Sequence, residues 1–170
     1  YQTYEYASTP TEWTKEILKA CRDANVKFST SPYSIELSDM LEEYVDFFKI
    51  GSGDISWPAL IKHVAKKEKP IVIATGASTL DEVRNAYQEA SRLNKNVSLL
   101  QCNTNYSGDY DNLYYSNLYV INSYKKIFPK ALIGLSDHTR DELTVLSAVS
   151  LGAKVIEKHF TDDNSSCLLY

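Results

Sequence analysis

The chain has 170 residues, 44% of them apolar and 24% charged, with 6 Gly, 5 Pro and a formal net charge of −4. That composition excludes disordered, collagen-like and coiled-coil classes, and the length suits one domain that buries roughly two-thirds of its unfolded surface. No run reaches the roughly 18 apolar residues of a membrane helix, and residues 1–6 lack the basic flank and apolar centre of a signal peptide.

A cytoplasmic location is therefore expected. Cys21, Cys102 and Cys167 contain no C-x-x-C pair and leave an odd count, which points to reduced thiols. No basic cluster is longer than Lys66-Lys67, so neither nucleic acid nor membrane is the expected partner, and a small molecule is.

Along the chain, short apolar β-branched runs begin near Val26, Asp46, Pro70, Val97, Ala131 and Lys154, at spacings of 20, 24, 27, 34 and 23 residues. Stretches of helical period separate them, which is the rhythm of successive βα units with parallel strands. Ile71-Val72-Ile73-Ala74 and Ala131-Leu132-Ile133-Gly134-Leu135 are continuous in apolar character, as strands covered on both faces require. Three helix starts place a Thr three residues before a Glu, at Thr9-Pro10-Thr11-Glu12, Thr79-Leu80-Asp81-Glu82 and Thr139-Arg140-Asp141-Glu142. Each predicts a capping box. Trp13, Ile17, Ala20 and Ala24 predict the buried face of the first helix, and Leu80, Val83, Tyr87 and Ala90 that of the helix after Thr79. No domain junction falls within residues 1–163, and residues 164–170 do not continue the rhythm.

In parallel βα architectures, chemistry gathers at the C-terminal ends of the strands. Those positions here carry Ser29, Thr30 and Ser31; Lys49, Ser52 and Asp54; Thr75 and Gly76; Asn103, Thr104 and Tyr106; Ser136, Asp137 and His138; and Glu157, Lys158 and His159. Lys49 lies amid strand residues beside Gly51-Ser52-Gly53, so a phosphate is the favoured counter-charge. The alternative is a lysine that snorkels to solvent or pairs with Asp46.

His138 and His159 end consecutive strands about 4.8 Å apart, close enough for both imidazoles to reach one divalent ion with an open coordination sphere. Two hydrogen-bonded histidines with no metal are the competing reading. His63, on a helix beside lysines, reads as surface. Cys102 has no cation beside it in sequence and reads as a small core residue. Tyr106, Tyr110, Tyr114, Tyr115 and Tyr119 are expected to pack between loop and helix, with Tyr106 able to line a sugar pocket.

Six ordered motifs carry a resemblance: Phe28-Ser29-Thr30-Ser31-Pro32-Tyr33, Phe48-Lys49-Ile50-Gly51-Ser52-Gly53-Asp54, Ile73-Ala74-Thr75-Gly76, Leu100-Gln101-Cys102-Asn103-Thr104-Asn105-Tyr106, Ile133-Gly134-Leu135-Ser136-Asp137-His138-Thr139 and Val155-Ile156-Glu157-Lys158-His159-Phe160-Thr161. The sequence resembles the sialic acid synthases: the N-acetylneuraminate, legionaminate and pseudaminate synthases and their animal 9-phosphate counterparts.

The resemblance implies a (β/α)8 TIM barrel whose third to eighth strands are the six runs. It implies condensation of phosphoenolpyruvate with an N-acetylated amino sugar. His138 and His159 then match the ligands of a divalent metal, Mn2+ or Mg2+. Ser31, Lys49, Ser52, Thr104 and Ser136 match positions that hold phosphoenolpyruvate, and Asp54 and Tyr106 positions that face the sugar. Glu157 and Asp137 match groups able to orient the metal histidines. A homodimer is implied for the complete enzyme.

Ala74 stands where many members have Ser, Asp54 where Glu is common, Ser31 for Thr and Gln101 for His. A (β/α)8 barrel takes about 250 residues, so residues 1–163 are expected to be a partial barrel domain lacking strands 1 and 2. Residues 164–170 are expected to be a non-matching tail, with the family's antifreeze-like C-terminal domain absent. The rival expectation is an inactive truncated paralogue that binds a phosphorylated ligand or a full-length partner.

Overall fold

The computed structural model describes residues 9–107 and 110–161. The 164–170 tail and Cys167 lie outside them. Six strands, β1 (Ser29–Thr30), β2 (Phe47–Ile50), β3 (Ile71–Ala74), β4 (Val97–Cys102), β5 (Leu132–Asp137) and β6 (Val155–Lys158), pair in sequence order, and every pairing is parallel.

Helices cover the outer face: α1 (Thr14–Asp23), α2 (Ile35–Leu41), α3 (Pro58–Ala65), α4 (Leu80–Ser91), α5 (Asn112–Tyr115), α6 (Val120–Ile127) and α7 (Leu143–Ser150). Strand alternation sends Phe48, Ile50, Ile71, Ile73, Leu99, Ile133 and Leu135 outward, where they are buried with Leu60, Ile61, Val64, Val83 and Ile121 of the helices.

The sheet curls into a half-barrel. Four strand steps separate β2 from β6, about 19 Å in a flat sheet, yet Lys49 Nζ and Glu157 Oε2 meet at 3.2 Å across the concave face. Gly134 permits the close approach of β5 to β6, because a Cβ there would stand 2.1 Å from the Val155 carbonyl oxygen and 2.6 Å from Leu100 Cδ2. A cavity of about 660 Å3 opens on the concave side between β1, β2 and β6.

One of the three expected capping boxes forms. Thr79 Oγ1 accepts the Glu82 N–H at 3.3 Å, and the Glu82 carboxylate accepts the Thr79 N–H at 2.7 Å. At the first start, Pro10 caps a 3-10 turn over Thr11–Trp13, and no side chain bonds the freed amides. At the third, α7 begins only at Leu143, because Thr139 Oγ1 is engaged with Asp137 and with Thr144.

The face predicted for the first helix is also corrected. Leu18 is its buried residue, while Trp13, Ala20 and Ala24 are exposed, since the neighbouring strand β1 is two residues long and covers little of the apolar stripe. On α4 the expected face holds at Val83 and Ala90, with Leu80 at the rim and Ala86 added.

Tyr110, Tyr114, Tyr115 and Tyr119 are exposed and do not pack between loop and helix. Asn112 takes the buried position of that segment, donating to Asn105 O at 3.3 Å and Ser107 Oγ at 3.4 Å. No helix among the described residues is long and apolar enough to cross a membrane.

Candidate active site

The C-terminal ends of the strands surround a cavity of about 290 Å3. Its wall takes Ser31 after β1, Lys49 and Ser52 from β2 and its turn, Ala74 from β3, and Cys102 and Tyr106 from β4 and its loop. Ser136, Asp137 and His138 at the end of β5 and Glu157, Lys158 and His159 at the end of β6 line the far side. Parallel strands place their ends on one rim, and alternate side chains enter the concavity, so residues from 31 to 159 converge although no two of the motifs adjoin in sequence.

The two imidazoles lie with ring centroids 5.1 Å apart. Tyr106 stacks against His138 at 4.2 Å and meets His159 edge-on at 5.9 Å. His138 Nδ1 is 2.6 Å from the Asn103 carbonyl oxygen. A carbonyl only accepts, so Nδ1 carries the proton and Nε2 is left as the basic nitrogen.

Cys102 Sγ lies 3.9 Å from the same Nδ1. Burial acts to lower the pKa of His138, but its contacts with Cys102 and Asn103 outweigh that and hold the imidazole above its ordinary value. Burial acts to raise Cys102, and the bonds from His138, Ser52 and Ser136 reverse it, leaving the thiol below its usual range. His159 is depressed by its burial and by the charge of His138.

Lys49 does not pair with Asp46, whose carboxylate accepts the Phe28 N–H at 2.9 Å. It answers Glu157 at 3.2 Å, and Glu157 Oε2 is buried without an aligned hydrogen bond among the described residues. Ser52 Oγ accepts the Gly76 N–H at 3.0 Å, which fixes the turn after β2 against the end of β3.

Two predicted site residues stand off the cavity wall. Asp54 sits in the 3-10 turn Ser52–Asp54, where burial raises its pKa against the pull of Lys49. Thr104 lines a separate groove between α4 and α6, and its Cγ2 occupies the space a Cβ on Gly76 would need, at 2.4 Å. Asp137 bonds Lys158 and Thr139, and Asn103 is what orients His138. Gln101 turns away and donates to Ser116 O at 3.1 Å.

Sequence reasoning missed Asn103 as the histidine's partner and Cys102 as its neighbour. The available signal was that β4 adjoins β5 in a consecutive βα series. Among the described residues no three His, Cys, Asp or Glu side chains form a metal-holding group. The two imidazoles, with ring centroids 5.1 Å apart on the cavity wall, are a donor set of the kind a divalent ion takes when water or substrate oxygens complete its coordination.

A family model described as the NeuB family matches residues 1–167. The chain is similar to the N,N'-diacetyllegionaminic acid synthase of Campylobacter jejuni, 37% identical over 155 residues that make up 89% of this chain and 45% of that protein. It is similar to the N-acetylneuraminate-9-phosphate synthase of Mus musculus, 36% identical over 152 residues covering 89% of this chain and 42% of that one. Among solved structures it resembles the spore coat polysaccharide biosynthesis protein SpsE of Bacillus subtilis, with a TM-score of 0.86 and 33% identity, covering 93% of this chain and 44% of that one. The chain spans about half the length of the curated relatives it matches.

Proposed function

Because this chain belongs to the NeuB family, we propose that it serves to condense phosphoenolpyruvate with the open-chain aldehyde of an N-acetylated amino sugar such as N-acetylmannosamine. The methylene carbon of phosphoenolpyruvate bonds to the aldehyde carbon, water adds at the enol carbon, and phosphate leaves, giving a nine-carbon 2-keto sugar acid. The six strands are read as the third to eighth of an eight-stranded barrel in a cytoplasmic, homodimeric enzyme. The observation that carries the reading is the meeting, in one cavity, of a partly buried lysine with hydroxyls and a pair of imidazoles.

His138 and His159 are the residues to hold a divalent ion, Mn2+ or Mg2+, which when bound supplies Lewis-acid polarisation of the aldehyde oxygen. Lys49 offers a partly buried ammonium to the anionic donor substrate, with Ser31, Ser52 and Ser136 giving hydroxyls around it. Thr104 holds the same substrate only if the groove and the cavity join around Gly76. Glu157 Oε2, which has no aligned hydrogen bond, is a proton acceptor at the reacting end of the cavity. Tyr106 and the rim carboxyl of Asp54 face the sugar.

Calorimetric titration with phosphoenolpyruvate, with and without manganese, tests this. Binding that tightens when manganese is present is expected. Equal affinity in both arms, or no binding in either, overturns it.

A further inference from the structure

We propose that Lys158 is a positioning residue whose clamp onto the end of β5 sets the separation of the His138 and His159 rings. Its ammonium has three donors, and three acceptors meet them: Asp137 Oδ2 at 2.5 Å, Thr139 O at 2.6 Å and Asp141 O at 3.0 Å. No donor is left over for a substrate. The Asp137 carboxylate is 3% exposed and also accepts from the Thr139 amide and hydroxyl, so the pair is fixed from both sides.

The clamp acts on both imidazoles through the backbone. Asp137 and Lys158 are register partners across β5 and β6. His138 lies between Asp137 and Thr139, both of which the network grips, and His159 directly follows Lys158. Asp137 and Lys158 themselves line the cavity, so gripping one to the other at the strand ends sets where the residue that follows each strand, His138 or His159, enters it. The Thr139 hydroxyl extends the network to Thr144 at 2.8 Å, tying the start of α7 to the same point. Lys158 also acts on His159 through its charge, which helps to lower that imidazole's pKa, so the ring contact is the readout that isolates the geometric effect.

The manganese arm of the test rests on the functional reading above; the ring-contact arm does not. Lys158→Met, Lys158→Arg and Asp137→Asn are compared with the unmodified chain by proton NMR of the metal-free histidines and by manganese binding through water-proton relaxation. In the unmodified chain, rings 5.1 Å apart at their centroids give an imidazole-to-imidazole Overhauser contact. Lys158→Met is expected to lose that contact and to bind manganese about 10- to 100-fold more weakly, the usual cost of losing a group that orients a metal ligand. Amide signals of β2, β3 and β4 stay in place, and Lys158→Arg restores most of both readouts. Asp137→Asn shifts them the same way and carries the comparison if Lys158→Met does not fold. A Lys158→Met chain with both the ring contact and the manganese affinity unchanged overturns the proposal. If the unmodified chain takes up no manganese, the functional reading fails, and the ring contact alone decides the clamp.

Discussion

A lysine set among strand residues needs an answering negative charge, and Lys49, with its side chain 14% exposed, finds it in Glu157. The functional reading adds a second anion at the same ammonium. Lys49→Met is therefore expected to raise the KM for phosphoenolpyruvate about 10- to 150-fold, the equivalent of a charge-assisted contact of roughly 1.5–3 kcal/mol. The KM for the sugar should move little, and steady-state kinetics on the complete enzyme separates this from a structural lysine, which would affect both substrates alike. His138→Ala and His159→Ala are each expected to abolish tight manganese binding by electron paramagnetic resonance, since the donor set holds only two nitrogens. A double variant that keeps one equivalent at full affinity would place the metal elsewhere. Lys49, His138 and His159 were legible because strand-end positions can be counted along a βα series. Asn103 was not, because its part is played by a backbone carbonyl, and any residue there has one.

At the scale of elements, two ties can be tested by their stability. Thr79→Ala removes the side-chain half of a formed capping box and is expected to cost about 0.5–2 kcal/mol in urea unfolding. Thr9→Ala removes a threonine whose expected box does not form, and should stay within about 0.5 kcal/mol. The same sequence pattern thus gives opposite outcomes, because Pro10 and the 3-10 turn redirect the first start.

Between α2 and the end of α3, Asp39 accepts from Lys67 at 2.5 Å and from His63 at 2.6 Å. The bond from Lys67, followed by that from His63, holds the Asp39 carboxyl below its ordinary range. A carboxyl whose pKa is depressed on folding stabilises the fold above the unfolded pKa of about 3.9, and that contribution is lost as pH falls through the folded pKa. The thermal midpoint should therefore drop on acidification below that range. Asp39→Asn should lower the midpoint at pH 7 and flatten the drop, and an unchanged acid profile in that variant would show the carboxyl contributes nothing. His63 was read as a surface residue from its lysine neighbours, and its half-exposed place beside Asp39 agrees.

At the scale of the whole molecule, the curled sheet of the described residues ends in β1 and β6, each paired with a single neighbour in its order. Such edges template association. The 170-residue chain on its own is expected to associate with rising concentration in light scattering; a monomer at every concentration would show that the edges are covered. It is also expected to release no phosphate from phosphoenolpyruvate and N-acetylmannosamine with manganese, because positioning supplies much of the rate and the concave side is open along β1, β2 and β6. Clear turnover by the chain alone would mean that six strands suffice.

The sequence by itself determined the parallel βα series, the succession of its strands along the chain and the rim on which chemistry-bearing residues fall. Those follow from local period, β-branched runs and the alternation of side chains, none of which needs a distant contact. Only the tertiary structure decided that the sheet curls far enough for Lys49 to meet Glu157. It alone separated Thr104 from the cavity, set Cys102 beside His138 and assigned Asp137 to Lys158 rather than to a histidine. Each of these depends on the distance between side chains of different strands, and strand curvature and loop path set that distance while leaving no mark on the spacing of residues along the chain.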